Sequence, residues 1–201
     1  MCIRDRLTVG QTCVAPDYLL VDTRVHDELL GFIKEEARRM FGEHPLDNED
    51  YGHIVNAKHF ARVRGLIDPD KVVLGGTARE SSLKIEPTIL DGVTPDDAVM
   101  QEEIFGPILP VLTFESLDEA EAFITDRPTP LALYIFSQDR AVQQRFVRYV
   151  PFGGGCVNDT IMHLATSHMG FGGMGASGMG QYHGRESLSL IHISEPTRPI
   201  S

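Results

Sequence analysis

The sequence has few of the features that mark membrane, secreted or metal-stabilised proteins. It contains no run of about 18 apolar residues that could span a bilayer, and the stretch from Met1 to Arg6 lacks the apolar core of a signal peptide. It has only three cysteines and no close-spaced pair, which is neither a disulfide framework nor a zinc pattern. These shortages favour a reducing compartment, and we expect the cytoplasm.

Basic residues are scarce relative to acidic ones. Lys and Arg number 18 against 29 Asp and Glu, and the formal net charge of −11 argues against a nucleic-acid or anionic-membrane partner. His163, His168 and His183 match no metal-ligand spacing, so we expect no metal. The hydrophobic content of 42% and the charged content of 23% suit one globular domain or a large part of a two-domain enzyme.

Strand-like apolar runs alternate with segments of helical periodicity along most of the chain. This alternation predicts an α/β fold with a largely parallel sheet flanked by helices. The predicted strands cover residues 18–21, 72–74, 84–90, 108–114, 131–136 and 156–159, and Pro87 makes the third of them irregular or an edge strand. The predicted helices follow the capping residues Asp22 or Thr23, Asn56, Ser116 and Asp139.

The first predicted helix ends at Gly42 and Pro45, and its apolar residues at helical spacing form the face expected to point inward: Val25, Leu29, Phe32, Ile33 and Met40. Two later segments, 153–155 and 170–184, are too rich in glycine for regular elements. Residues 170–175 fit the pattern Gly-x-Gly-x-x-Gly, but no strand precedes them and no helix follows. We therefore interpret them as a loop and not as a dinucleotide-binding turn.

Cys13 is the most informative single residue, because a thiol in the glycine-containing segment Gly10-Gln11-Thr12-Cys13 suggests covalent catalysis. The alternative is a small buried hydrophobe. A nucleophile also needs a base, an oxyanion hole and a substrate channel. Because Cys13 lies close to the start of the chain, either these parts lie downstream or the chain is a piece of a larger protein.

Glu103 and Phe105 are the next candidate site residues. They lie in the segment Glu102-Glu103-Ile104-Phe105-Gly106-Pro107, where a turn holds an aromatic ring beside a carboxylate. The alternatives are a solvated carboxylate for Glu103 and an ordinary core residue for Phe105. Cys156 has no comparable surroundings, and we expect it in the core or in the wall of a substrate tunnel.

Four groups of motifs, in this order and spacing, resemble the carboxy-terminal half of the NAD(P)-dependent aldehyde dehydrogenase superfamily. The resemblance runs from about Gly10 to about Ser187 and is strongest to the class 3 branch, whose members often oxidise fatty or aromatic aldehydes. The motifs are Gly10-Gln11-Thr12-Cys13 with Pro16-Asp17-Tyr18, Ile85-Glu86-Pro87-Thr88-Ile89-Leu90, residues 100–107, and Pro151-Phe152-Gly153-Gly154 with residues 175–180 and Tyr182-His183-Gly184.

The resemblance implies a role for each matched residue. Cys13 would be the nucleophile that forms a thiohemiacetal and then a thioester with the aldehyde. Glu103 would bind the ribose hydroxyls of NAD or NADP, and Phe105 would help to position the ribose and the nicotinamide. In this family the glutamate base, the oxyanion asparagine and the dinucleotide-binding domain precede the cysteine. They would therefore be absent from these residues, and we expect the fragment alone to be inactive.

The resemblance also implies an organisation for the chain. Residues 7–187 would form a partial catalytic domain of the aldehyde dehydrogenase fold, without its amino-terminal dinucleotide-binding domain. The tails 1–6 and 188–201 depart from the family and resemble translated sequencing adapters, so we expect both to be non-native. The expected partners are a small aldehyde and, at full length, further copies of the chain. Two alternatives remain: a stand-alone cysteine hydrolase acting on esters, and a non-catalytic assembly module.

Overall fold

The computed structural model describes residues 8–166 and 168–183. The chain divides between Leu117 and Asp118 into two compact units. The predictions for the tails 1–6 and 188–201, and for Gly184 to Ser187, lie outside the described residues.

The first unit is built on a mixed sheet. In its described residues the strand order is β1-β6-β5-β2, where β1 is Leu19–Asp22, β2 Val72–Leu74, β5 Thr88–Leu90 and β6 Ile108–Phe114. Strands β1 and β5 both run parallel to β6, whereas β2 is antiparallel to β5. Strands β3, Ala78–Arg79, and β4, Lys84–Ile85, form a separate antiparallel pair. The predicted strand 84–90 is therefore interrupted around Pro87, as its ring suggested.

Helix α1 covers His26–Phe41, and helix α2 covers Ala57–Gly65. Helix α2 begins as predicted, because the Asn56 side chain accepts a hydrogen bond from the His59 amide. The predicted cap of α1 was wrong. The Asp22 carboxylate instead accepts hydrogen bonds from the Arg24 amide and guanidinium, and the helix starts later, after Val25.

The predicted inward face of α1 was wrong in part. Leu30, Ala37 and Phe41 are buried, whereas Val25, Leu29 and Phe32 are exposed, Phe32 by 58%. Ile33 and Met40 are half-buried and pack beside the buried residues, as the prediction required. The apolar residues of this helix cover more than one face, so periodicity alone selected a stripe rotated from the one that meets the sheet.

The second unit begins at the second residue of helix α3, Leu117–Thr125. It also contains strand β7, Ala132–Ile135, helix α4, Arg140–Tyr149, and strand β8, Gly154–Val157. Strands β7 and β8 pair in parallel. The Asp139 side chain caps α4 by accepting from the Ala141 amide, as predicted. Arg145 of α4 donates to Asp118 and Glu121 of α3, which ties the two helices together.

The glycines before Cys156 correct another prediction. Gly154 and Gly155 belong to β8, although the run 153–155 was expected to be irregular. A Cβ on Gly155 would lie 2.0 Å from the Leu133 carbonyl oxygen, so the close approach of the neighbouring strand requires glycine there. Of the predicted strand 156–159, Cys156 and Val157 are in β8, and the described chain turns at Asn158, where φ is positive.

Described strand pairs of both orientations make the sheets mixed, so the prediction of a largely parallel sheet holds only in part. Residues 170–183 are largely irregular, as predicted, with a short 3-10 turn at Gly175–Ser177 and an isolated bridge between Phe171 and Tyr182. Within the described residues, no helix combines the length and the apolar character needed to cross a bilayer.

Candidate active site

The Cys13 thiol lies in an exposed turn at the start of the first unit. The Ala15 amide donates to the Thr12 carbonyl at 2.9 Å and the Thr12 amide to the Gly10 carbonyl at 2.9 Å, so the backbone around the thiol is closed by local hydrogen bonds. The exposure of Cys13 argues against the alternative of a small buried hydrophobe. An exposed thiol is free to meet a substrate.

The side chain of Gln11 anchors this turn. Its Nε2 donates to the carbonyls of Thr8 and His53, at 2.9 and 3.0 Å, and its Oε1 accepts from the Val55 amide at 3.0 Å. Both ends of one amide therefore bridge the cysteine turn to residues 53–55. Sequence reasoning missed this role. The one sequence feature that pointed to this anchoring role was the position of Gln11, two residues before the thiol.

Apolar packing fixes the same turn from the inside. Val9 is buried in a cluster with Ala37 and Phe41 of α1 and with Tyr51. The rings of Phe41 and Tyr51 meet edge to face at 5.5 Å, and the Tyr51 hydroxyl donates to the Ile85 carbonyl. Val9, four residues before Cys13, is thus part of the core of the first unit, although the thiol itself is exposed.

Glu103 and Phe105 lie on a second turn that presses against the first. A Cβ on Gly10 would be 2.2 Å from the Gly106 carbonyl oxygen, so the two backbones approach as closely as glycine permits. Both Glu103 and Phe105 are exposed, Phe105 by 40%, while Ile104 between them is 1% exposed. The structure thus brings the segments of all three predicted site residues together, and Phe105 is not an ordinary core residue.

Charged side chains hold this second turn. The Asp17 carboxylate accepts from the Ile104 amide at 3.0 Å. Arg62 of α2 donates to the carbonyls of Ile104 and Glu103, at 2.6 and 3.2 Å, and to the Glu102 carboxylate at 3.1 Å. Sequence reasoning did not single out Asp17 or Arg62 as site residues, although Asp17 lies in the quoted Pro-Asp-Tyr motif.

Burial raises the pKa of Asp17 from 3.8 to about 6. The hydrogen bond from the Ile104 amide opposes this shift, the negative charge of Glu103 adds to it, and the positive charge of Arg62 again opposes it. The carboxylate is therefore kept half-buried beside another acid, with one backbone donor and one nearby cation as compensation.

The second unit places Cys156 beside His163. The Cys156 Sγ lies 3.6 Å from His163 Nδ1, and His163 is 6% exposed and packed between the rings of Tyr134 and Phe171. Burial lowers the pKa of His163, which favours the neutral imidazole. A Cβ on Gly154 would lie 2.9 Å from the same ring. Cys156 is half-buried, not fully buried as a core position would be, and its place in the wall of a substrate tunnel stays a prediction. Among residues 8–166 and 168–183, no three metal-ligating side chains lie close enough to hold an ion.

The surface formed by Glu103 and Phe105 combines an exposed carboxylate with an exposed aromatic ring. An exposed carboxylate can accept hydrogen bonds from ribose hydroxyls, and an exposed ring one residue away offers an apolar face. The positive φ of Phe105, 49°, and the buried Ile104 turn both groups outward. Neither the hydrogen bonds to the carboxylate nor the contact with the ring requires a glycine-rich phosphate loop.

Residues 6–193 match the Aldehyde dehydrogenase family. The chain is 51% identical over 193 residues to the 4,4'-diaponeurosporen-aldehyde dehydrogenase of Staphylococcus aureus, a match that covers 95% of the chain and 42% of that relative. It is 47% identical over 182 residues to the dimeric NADP-preferring aldehyde dehydrogenase of Rattus norvegicus, covering 90% of the chain and 40% of the relative. Other matches are named as family 3 members, in agreement with the class 3 resemblance.

The fold also resembles that of a solved structure. A solved structure described as the substrate-bound state of Staphylococcus aureus AldH superposes with a TM-score of 0.87 at 50% identity, covering 92% of this chain and 42% of the other. The chain thus spans 40% to 42% of the length of these relatives.

Proposed function

The chain belongs to the aldehyde dehydrogenase family, and we propose that it supplies the catalytic domain of an enzyme that oxidises aldehydes to carboxylates with NAD or NADP. Cys13 is the nucleophile in this proposal, and Glu103 and Phe105 bind the nucleotide. One observation carries it: the exposed thiol turn packs directly against the turn that exposes the carboxylate and the ring.

The chemistry proposed for Cys13 proceeds in three steps. The thiolate adds to the aldehyde carbon and gives a thiohemiacetal. Loss of hydride from that carbon leaves a thioester, and the bound nicotinamide nucleotide supplies the hydride acceptor. Water then cleaves the thioester to release the carboxylate and the free thiol, which is a good leaving group.

Glu103 and Phe105 have binding roles in this scheme. The Glu103 carboxylate accepts hydrogen bonds from ribose hydroxyls, and the Phe105 ring covers an apolar part of the nucleotide. Because Asp17 and Arg62 hold the backbone between them, the turn is prepared for its ligand before binding.

The family resemblance assigns the general base and the oxyanion asparagine to residues that precede the cysteine. We therefore propose that the 201 residues alone turn over aldehydes negligibly, and that activity requires the matching amino-terminal part of the enzyme. The rat relative is named as dimeric, and a homo-oligomer of the complete protein is part of the proposal. Location in the cytoplasm and non-native tails remain predictions.

A hybrid enzyme can test this function. Residues 8–183 replace the matching segment of the Staphylococcus aureus relative, to which the chain is 51% identical, and NAD(P)H formation is followed with decanal and benzaldehyde. We expect turnover in the hybrid, and a loss on the order of 10³-fold or more in Cys13→Ala. Cys156→Ala is the matched thiol control and is expected to keep the activity.

Other outcomes would select the alternatives. Ester cleavage by the 201-residue chain without nucleotide, lost in Cys13→Ala, would favour the cysteine hydrolase. A folded hybrid that neither reduces the nucleotide nor cleaves esters would favour the assembly module. Efficient aldehyde oxidation by the 201-residue chain would contradict the account of the missing groups.

A further inference from the structure

The backbone of Ile104 is held in an unusual way. Ile104 is 1% exposed and lies outside the described strands and helices. Its amide donates to the Asp17 carboxylate and its carbonyl accepts from the Arg62 guanidinium. Buried backbone groups need partners, and secondary structure usually provides them. Here two side chains of opposite charge, from different segments, provide them instead.

The cost of using Asp17 for this purpose indicates that the contact matters. The carboxylate is half-buried and lies near the charge of Glu103, so the fold disfavours its ionised form. A neutral side-chain oxygen could accept the same hydrogen bond without this penalty. Groups perturbed in this way are more frequent at functional sites than elsewhere.

Asp17 is also well placed to transmit position. It follows Cys13 by four residues, and Pro16 between them restricts the backbone. On the other side of the hydrogen bond, Ile104 lies between Glu103 and Phe105. One hydrogen bond therefore connects the segment of the nucleophile to the middle of the nucleotide-binding turn.

We propose that Asp17 is a positioning residue of the site, which fixes the Glu103–Phe105 turn relative to Cys13 through the Ile104 amide and thereby strengthens nucleotide binding. The inference rests on the proposed function. Arg62 of α2 adds to this positioning, because it donates hydrogen bonds to the carbonyls of Glu103 and Ile104.

The hydrogen bond between the Asp17 carboxylate and the Ile104 amide should respond to pH. The charged groups that face Asp17 are Glu103 and Arg62, and Arg62 also contacts Glu102. Protonation of Asp17 below a pH of about 6 converts a charge-assisted hydrogen bond into a weaker neutral one. The KM for the nucleotide should then rise as the pH falls through this value, with a smaller change in kcat.

Variants of the hybrid enzyme test the inference. Asp17→Leu removes the acceptor, and we expect the nucleotide KM to rise about tenfold or more. Asp17→Asn keeps a neutral acceptor of the same size, so its nucleotide KM at neutral pH should lie between those of the parent and Asp17→Leu, and it should lack the rise of KM in acid. Asp47→Asn, which breaks an exposed ion pair with Arg79, is the control and should behave as the parent.

A folded Asp17→Leu hybrid with an unchanged nucleotide KM would overturn the proposal, and so would an Asp17→Asn hybrid that keeps the acid rise. Amide exchange at Ile104 in the 201-residue chain is a second measurement that needs no turnover. Exchange should accelerate in Asp17→Leu and stay slow in Asp17→Asn, and equal rates in all three chains would overturn the proposal. An inactive parent hybrid would instead count against the proposed function.

Discussion

The carbonyl oxygen of Gly106 occupies the place where a side chain of Gly10 would begin, since a Cβ on Gly10 would lie 2.2 Å from it. Gly10 also has a φ of +72°, which L-residues with side chains rarely adopt. Gly106 in turn packs against Val63 of α2, because a Cβ on Gly106 would lie 2.7 Å from Val63 Cγ1. The turn of Cys13 and the turn of Glu103 and Phe105 are therefore stacked with no room for a methyl group between them.

Gly10→Ala should consequently destabilise the chain and separate the two turns. We expect a loss of about 1 kcal/mol from the positive φ and about 1–3 kcal/mol more from overpacking. Gly92→Ala is the matched control, because Gly92 has a φ of +65° and no atom within 4 Å of the added Cβ. Urea unfolding of both variants measures the difference. Equal losses in the two variants would contradict the close approach at Gly10.

The site could be predicted in part, and the reason lies in the kind of contact each residue makes. Cys13, Glu103 and Phe105 are proposed to act through their own side chains, so their residue types and neighbours carried a signal. Asp17 and Arg62 act by holding the backbone of Ile104, which is distant from both in sequence. No residue type announces such a contact before the fold is known.

In the fold, too, local contacts could be predicted from the sequence and contacts with distant segments could not. Capping residues such as Asn56 and Asp139 act within one turn, and both predictions were confirmed. The buried face of α1 depends on the sheet that covers it, and the exposed Phe32 illustrates how a second apolar stripe misleads periodicity. Gly155 was expected in a loop, but it lies in β8 because the carbonyl of Leu133 approaches too closely for a side chain.

Asp17→Asn should stabilise the chain at neutral pH. The pKa of Asp17 is raised from 3.8 to about 6 on folding, so the folded state binds the proton more tightly, and stability falls as the pH rises from about 4 to about 6. Asparagine avoids this penalty, and we expect a gain of about 1–2 kcal/mol at pH 7.5, reduced from the full shift because the group is half-buried.

The gain should shrink as the pH falls below about 6 and vanish below about pH 3, where Asp17 is protonated in both the folded and the unfolded state. Urea unfolding of the parent and the variant at several pH values checks this. A constant difference between the two chains across the range would show that Asp17 does not titrate as described.

His26 should give a pH dependence of the same sign as Asp17 but at higher pH, because its pKa is also raised on folding. Its Nε2 contacts the Asp91 carboxylate at 2.8 Å, just beyond β5, and its Nδ1 contacts Asp27 at the same distance. These hydrogen bonds, that of Asp91 first, raise the pKa of His26 above 6.5. The stabilisation is therefore complete below pH 6.5 and is lost as the pH rises through the higher folded value.

His26→Asn is expected to cost about 1 kcal/mol at pH 6 and less at pH 9, as measured by thermal unfolding. The two acids provide an internal comparison, because the Asp91 side chain is partly buried and that of Asp27 is fully exposed. Asp91→Asn should reproduce most of the loss and Asp27→Asn little of it. The reverse order would mean that the contact of His26 with Asp91 does not stabilise the fold.

Gln11 tests how the Cys13 turn is anchored, because its amide nitrogen donates two hydrogen bonds and its amide oxygen accepts one. Gln11→Glu keeps an acceptor for the Val55 amide but cannot donate to the carbonyls of Thr8 and His53 when ionised. We expect a loss of about 1–2 kcal/mol at pH 7.5, with faster alkylation of Cys13 as the turn loosens. Gln11→Met, which loses all three bonds without adding charge, is the matched variant and should not respond to pH.

In Gln11→Glu part of the stability should return at pH 4, because a protonated carboxyl group can again donate one hydrogen bond. If acid leaves the two variants equally impaired, the donor end of Gln11 does not hold the turn.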